Sequence, residues 1–375
     1  MITMSDLAVF FSPIVLAFVV IVIGYYIGRI RICNISLDFA AVLICAIIAG
    51  YLVSHSALGG DVAYLSSLKS AMKNYSTFGT AMFVSAVGLS AGYSISDRFH
   101  AKNALYFLQG SLIVIAGFTI MRCIEVLDHG IPHSALLGIL CGSLTSTPGM
   151  SAACDLNGII AEDVTLGYGS AYLFGVVFVV LFVQMLTHRE KKLSVNMTEK
   201  GTKDEETTFE FLIQIGITAI LGTVIGNIDI PYLGTSLGTS GGILCSGIFV
   251  GFIIRRCFPQ AIHSQQTISA FRNTGLGLFM VGAGLPAGLQ FDNSFDIKWL
   301  LYGIILTVIP ILIGCLLCRL FKYARLKIAC IIAGGMTSTP AVGVLINKYN
   351  TIDLSDYSIA YIGSLMTMVI GIRLI

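Results

Sequence analysis

Runs of apolar residues, each nearly free of charge and long enough to cross a bilayer, follow one another along this whole chain. A hydrocarbon core of about 30 Å takes about 20 residues of helix. Candidate spans fall near 8–28, 36–54, 75–94, 103–121, 165–187, 209–228, 237–254, 274–290, 299–318 and 357–374. Two further stretches, 134–158 and 328–348, are equally apolar but carry a polar Thr-Ser-Thr-Pro in their middle. Charged residues make up only 11% of the chain, against roughly 25% in a soluble globular protein. That excludes a water-soluble body of this size. The first run has no basic segment before it and continues past Ile30, so it reads as a span rather than a cleaved signal.

Lys and Arg placement orients the spans, because cytoplasmic loops collect cations. With the N-terminus outside and each interrupted stretch entering and leaving on one side, most of the 22 cations face the cytoplasm, among them Arg29, Arg31, Arg98, Lys102, Arg189, Arg255, Arg256, Arg319 and Lys327. Lys69, Arg122, Lys298 and Arg373 fall outside or near the outer surface. The expected topology is about ten spans plus two re-entrant hairpins, with both termini outside.

Self-similarity organises the rest. Gly28-Arg29-Ile30-Arg31-Ile32 recurs as Gly226-Asn227-Ile228-Asp229-Ile230, and Ala71-Met72-Lys73-Asn74 as Ala270-Phe271-Arg272-Asn273. Phe83 to Gly92 recurs as Phe279 to Gly288, and Leu144-Thr145-Ser146-Thr147-Pro148 as Met336-Thr337-Ser338-Thr339-Pro340. The expected fold is all-α and membrane-embedded. It has a first repeat at 1–187, a charged cytoplasmic linker at 188–207 and a second repeat at 208–375. About five spans per repeat is an odd number, so the copies are inverted, which is the layout of many secondary transporters.

Thr147-Pro148 and Thr339-Pro340 read as helix N-cap followed by N1, where the missing proline N–H has no helical partner anyway. A helix starting at mid-membrane turns its positive dipole end and free amides inward, and an anion such as a carboxylate suits that place. The alternative is a proline kink in a continuous span. The expected substrate-binding residues are therefore Thr145, Ser146, Thr147, Pro148, Thr337, Ser338, Thr339 and Pro340. Lys73-Asn74 and Arg272-Asn273 join them, since each cation stands before a Gly-rich span. A cation there either meets the substrate carboxylate or snorkels to the interface. Asp155, whose counterpart is Asn347, is either a coupling or substrate-amine residue or simply the base of a hairpin. Glu162 and Asp163 read as loop charges. No nucleophile with its base and no metal cluster appears, so neither an enzyme nor a metal site is expected. No cofactor and no nucleic-acid partner are expected. The 10 cysteines read as reduced packing thiols.

On the duplicated Thr-Ser-Thr-Pro turns, and on Phe271-Arg272-Asn273-Thr274-Gly275-Leu276-Gly277-Leu278-Phe279 running into Gly284-Leu285-Pro286-Ala287-Gly288, the chain resembles the aspartate:alanine exchanger family. That family includes the succinate exporters and is akin to glutamate and citrate transporters with paired re-entrant loops. The resemblance implies exchange of small carboxylates or acidic amino acids, by elevator-type motion, in a homodimer in the bacterial inner membrane. It points to the two Thr-Ser-Thr-Pro turns and the basic residues before the Gly-rich spans. Many members carry two cytoplasmic regulatory domains between their halves, where this chain has only its short linker. Sodium- or proton-coupled symport is the alternative to exchange, and an ion channel a more distant one.

Overall fold

The computed structural model describes residues 12–32, 35–36, 39–95, 101–187, 205–230, 235–236, 238–291, 296–338, 341, 345 and 355–375. Among them it holds 13 α-helices. In chain order these begin with α1 (Pro13–Gly28), α2 (Phe39–Ser54), α3 (Val62–Ile95) and α4 (Ala101–Leu127). The short pair α5 (His133–Ser143) and α6 (Thr147–Cys154) precedes α7 (Ala161–Thr187). Then come α8 (Glu205–Gly226), α9 (Gly238–Cys257), α10 (Gln265–Gly288), α11 (Lys298–Leu320), α12 (Arg325–Gly335) and α13 (Ser355–Leu374). Six of them, α4, α7, α8, α9, α11 and α13, are long and apolar enough to cross a membrane. The expected spans are therefore present as helices.

Two expected spans begin earlier than their apolar runs. The span placed at 75–94 is the second half of α3, which begins at Val62 because Asp61 Oδ1 accepts from the backbone N–H of Ala63 and Tyr64. The span at 274–290 likewise belongs to α10, opened by Ser264, whose hydroxyl accepts from Thr267 N–H. Lys73 and Arg272 thus lie inside long helices, ahead of their Gly-rich second halves. The fold is all-helical, as expected, apart from two small ribbons: β1 (Arg31–Ile32) pairs antiparallel with β2 (Ile35–Ser36), and β3 (Asp229–Ile230) with β4 (Thr235–Ser236). Residues 188–204 of the expected linker lie outside the described residues, and α8 begins within its last part.

The order of elements occurs twice. Helix, two-stranded ribbon, helix, 3-10 turn (Ala57–Gly60) and long helix in the first half match helix, ribbon, helix, 3-10 turn (Pro259–Ala261) and long helix in the second. Packing divides the molecule differently. One block gathers α1–α3 with α8–α10, and the other gathers α4–α7 with α11–α13. Within the first block the contacts are reciprocal: α2 lies on α10 and α9 lies on α3. Lipid offers no hydrophobic drive between helices, so close backbone approach through small residues carries the packing. A Cβ added to Gly88 of α3 would stand 2.9 Å from Gly247 Cα of α9. One added to Gly288 of α10 would stand 3.0 Å from Gly50 Cα of α2. The same seam is built twice with the partners exchanged.

The described cysteines are free, and Cys315 and Cys318 are buried in α11, as packing thiols would be. Among the described residues no group of His, Cys, Asp or Glu is arranged to hold a metal ion.

Candidate functional site

The two Thr-Ser turns have one geometry. At the end of α5, Thr145 N–H bonds Gly142 C=O (3.0 Å) and Ser146 N–H bonds Cys141 C=O (2.8 Å). At the end of α12, Thr337 N–H bonds Gly334 C=O and Ser338 N–H bonds Ala333 C=O, both at 2.9 Å. Such a helix end puts its turning residue in the left-handed region, normally glycine. Here the residues are Thr145, with φ of 53°, and Thr337, with φ of 49°. Holding a β-branched residue there costs on the order of 1–2 kcal/mol. The hydroxyls show what that strain serves. Thr145 Oγ1 donates to Met336 C=O (2.7 Å), and Thr337 Oγ1 donates to Leu144 C=O (2.9 Å). The turns meet tip to tip through a reciprocal pair of buried hydrogen bonds.

The cap lies one residue earlier than expected. Ser146 is the N-cap of α6, its Oγ accepting from Gly149 N–H, so Thr147 and Pro148 are the first two helical residues. A three-residue reach from the capping oxygen favours Ser146, and Thr147 is free to bond Tyr168 Oη at 3.0 Å. Ser338 repeats the arrangement with Ala341 N–H. Thr339, Pro340 and Asn347 lie outside the described residues.

α5 has 11 residues, about 16 Å at 1.5 Å per residue, or half of a bilayer core. Every one from Ser134 to Ser143 is buried, so its backbone is shielded by protein on all sides. Its base is pinned: His133 Nδ1 meets Glu125 (2.7 Å), and Ser134 Oγ donates to Asp163 (3.0 Å). Asp163 is thus no loop charge but a buried carboxylate in the first turn of α7, with Glu162 beside it in the same turn. The base of α12 has its own pair, Lys327 Nζ to Asp356 at 3.4 Å.

A cavity of about 350 Å³ opens between the two blocks where the turns meet. Thr145, Thr147, Pro148 and Thr337 line it from the turns, and Arg272 and Asn273 line it from α10. Half of the sequence-derived site is therefore gathered at one place. Arg272 is half-buried, lies within electrostatic reach of Tyr357 and Tyr361, and has no ion-pair partner among the described residues. Ser146 and Ser338 stand behind the surface as fully buried caps. Lys73 and Asn74 are exposed and do not reach the cavity.

Asp155 lies elsewhere too, at the C-terminal end of α6, where the carboxylate accepts from Ser240 N–H (2.9 Å) and Ser240 Oγ (2.6 Å) of α9. Ser151 adds bonds to Ser240 Oγ (2.8 Å) and Thr80 Oγ1 (3.3 Å). This polar knot ties α6 to the first block, and none of its residues is among the described cavity lining.

Several lining residues escaped the sequence reading. Tyr172 and Tyr361 face the cavity from α7 and α13, each paired with a second ring, Tyr168 and Tyr357, at centroid distances of 5.0 and 5.7 Å. The signal was present as Tyr168-x-x-Ala171-Tyr172 recurring as Tyr357-x-x-Ala360-Tyr361. Tyr25 and Arg29 of the α1 end also line it, the Arg29 guanidinium lying 4.5 Å from the Tyr25 ring centre.

Spanning-length apolar helices and a polar cavity between two helical blocks define a multi-pass membrane protein built to handle a small solute. The family model for the predicted permease membrane region of aspartate–alanine exchangers matches residues 16–188 and 214–375, and the chain belongs to that family of membrane transporters. It is 30% identical over 309 residues to an uncharacterized transporter of Bacteroides fragilis, covering 76% of this chain and 50% of that protein. A second uncharacterized transporter, of Bacteroides thetaiotaomicron, is 30% identical over 305 residues with the same coverage. One of Rhodopirellula baltica is 31% identical over 174 residues, 46% of this chain and 29% of that protein. The chain spans about half the length of the first two relatives.

Proposed function

We propose that the protein is a secondary exchanger of small carboxylates, working by alternating access in a bacterial inner membrane. The observation that carries this is the meeting of both threonine turns with Arg272 and Asn273 at one cavity between two blocks. Helix α6 begins at that cavity, and a helix N-terminus there favours an anion. Arg272 supplies a forked donor that matches a carboxylate. In this reading 1–187 and 208–375 are inverted repeats, and α5–α6 and the segment after α12 are re-entrant hairpins. The half-bilayer length of α5, its burial from Ser134 to Ser143, and the doubled order of elements support it. The block of α4–α7 with α11–α13 carries the turns and moves, elevator-like, against the other. Both termini face outside, in keeping with the placement of Lys and Arg.

An unfilled cationic site crosses a low-dielectric barrier at high cost. Loading with an anion lowers that cost, so the empty carrier returns slowly and flux becomes exchange. The test is reconstitution: liposomes holding unlabelled aspartate or a dicarboxylate take up labelled substrate, and empty liposomes do not. Uptake without trapped counter-substrate, driven by a sodium or proton gradient, would overturn exchange in favour of symport. Single-channel currents would overturn both.

A further inference from the structure

Two charges of the second block converge on the first turn of α9. Asp155, at the end of α6, accepts from Ser240 N–H and Ser240 Oγ. Arg373, in the last turn of α13, reaches the same turn, where a Cβ added to Gly238 would overlap its guanidinium. Gly238 has φ of 67°, and its bare Cα is what admits the arginine. Arg373 Nε and Nη2 are buried with no hydrogen-bond partner among the described residues. Asp155 lies within electrostatic reach of that guanidinium, yet its described hydrogen bonds all come from Ser240. A buried cation with unused donors is costly, so its presence asks for a reason. The repeat supplies one. Asp155 corresponds to Asn347, and Arg373, aligned through the recurrence of Tyr168 and Tyr172 as Tyr357 and Tyr361, corresponds to Gln184. Where the acid is lost, the base is lost with it. α6 packs on α13 within one block, whereas Gly238 and Ser240 belong to the other.

We propose, resting on the exchanger reading above, that Arg373 is the built-in counter-cation of Asp155, a positioning residue that stands in for a sodium ion from solution when the blocks part. Gly238 and Ser240 then leave together with α9. Asp155 loses both of its hydrogen bonds at that moment, and a carboxylate stripped of partners in a low-dielectric place is expensive. Arg373 travels with it, and its unused Nε and Nη2 donors match a carboxylate in a forked pair. The acid is neutralised with no cation taken up. The oxygens beside it, from Ser151, Ser240 and Thr80, would otherwise make a cluster suited to a hard cation. A carrier that brings its own guanidinium to that place exchanges solutes without drawing on an ion gradient.

The experiment measures melting of the whole chain in nanodiscs, in sodium chloride and in N-methylglucamine chloride of equal strength. Asp155→Asn and Arg373→Gln each leave one charge without its partner. The double variant, which copies Asn347 and Gln184, melts at least about 3 °C above either single variant. Arg373→Lys, which keeps the cation, melts above Arg373→Gln. Sodium raises the melting temperature of Arg373→Gln and not that of the unmodified protein. In liposomes loaded with counter-substrate, the unmodified protein exchanges equally in both salts, and Arg373→Gln runs at least about fivefold faster in sodium. Melting losses that simply add, or a sodium effect equal in the two proteins, overturn the proposal while leaving exchange standing. Absence of exchange by the unmodified protein in both salts overturns the exchanger reading, and the melting comparison still decides on the pair.

Discussion

On one side of the paired turns the two blocks stand apart, and on the other they are tied. Where they part, Arg272, Asn273, Arg29 and Phe39 line an open cavity. Where they are tied, Asp155 and Ser151 of α6 bond Ser240 of α9, and Ser151 reaches Thr80 of α3. Lys73 and Asn74, which recur as Arg272 and Asn273, are exposed away from the cavity. The recurring pairs thus have different surroundings, because contacts between blocks differ on the two sides. In an inverted duplication, the arrangement on either side is available to the other after a shift of one block. On the exchanger reading proposed above, the tied side is a closed gate, and Lys73-Asn74 belongs to the entry used when that gate opens.

The largest effect expected from breaking this asymmetry comes from locking it. Asp155→Cys with Ser240→Cys, in a Cys154→Ser background, is joined by a short bifunctional maleimide. Exchange in liposomes stops, while ligand still binds from the cavity side. Undiminished exchange after complete crosslinking would show that the knot is no gate. Next in size is the contrast between the recurring cations. Arg272→Gln weakens carboxylate binding at least about tenfold, since hydrogen bonds to a charged group are worth about 1.5–3 kcal/mol. Lys73→Gln changes binding to the state described by less than about twofold. Calorimetry on both variants checks this, and equal losses would remove the distinction between the sides.

The tips should behave alike. Thr145→Val and Thr337→Val each remove one cross-tip hydrogen bond, at about 1 kcal/mol apiece, and lower the melting temperature by similar amounts. Thr145→Gly loses the same bond but relieves the left-handed turn, so its loss is the smaller. Unequal valine variants would break the equivalence of the two turns.

The smallest effect is one of pH, in the first block alone. His263, in the turn before α10, is buried with its Nε2 3.1 Å from the Gln214 amide. Gln214 also accepts from Tyr93 and donates to Ala261 C=O. Burial pushes the imidazole below its ordinary range, with the Glu210 carboxylate acting the other way. The fold therefore favours the neutral ring. Its contribution is complete above the unfolded value of about 6.5 and is lost as the pH falls from there through the folded value. Melting temperature declines between pH 7 and 5, and His263→Gln flattens that slope.

Much of this was legible in the chain. Apolar length placed the helices, and the recurrence of Leu144 to Pro148 as Met336 to Pro340 pointed to the turns. Other features were not. A two-residue ribbon such as Arg31–Ile32 is too short to show a strand period, although its recurrence as Asp229–Ile230 was visible. The polar first half of α3 carries Lys69 and Lys73 and looks like a loop by hydropathy, yet Asp61 caps it into a helix. Sequence spacing could not tell Ser146 from Thr147 as the cap, because both carry a hydroxyl and only the backbone path decides. Arg29 read only as one of the cytoplasm-facing cations, because its companions, Tyr25 and Phe39, come together only after α1 and α2 pack.

The cross-tip threonine bonds have a consequence for how a solute leaves. A single hairpin that peeled away from its neighbour would break both bonds together and expose the Leu144 and Met336 carbonyls, a double loss in a place with little water to replace it. Each tip is handcuffed to the other. On the exchanger reading proposed above, release by unlatching one tip is the costly route, and cargo is better ferried with both tips closed on it until the surrounding wall falls away.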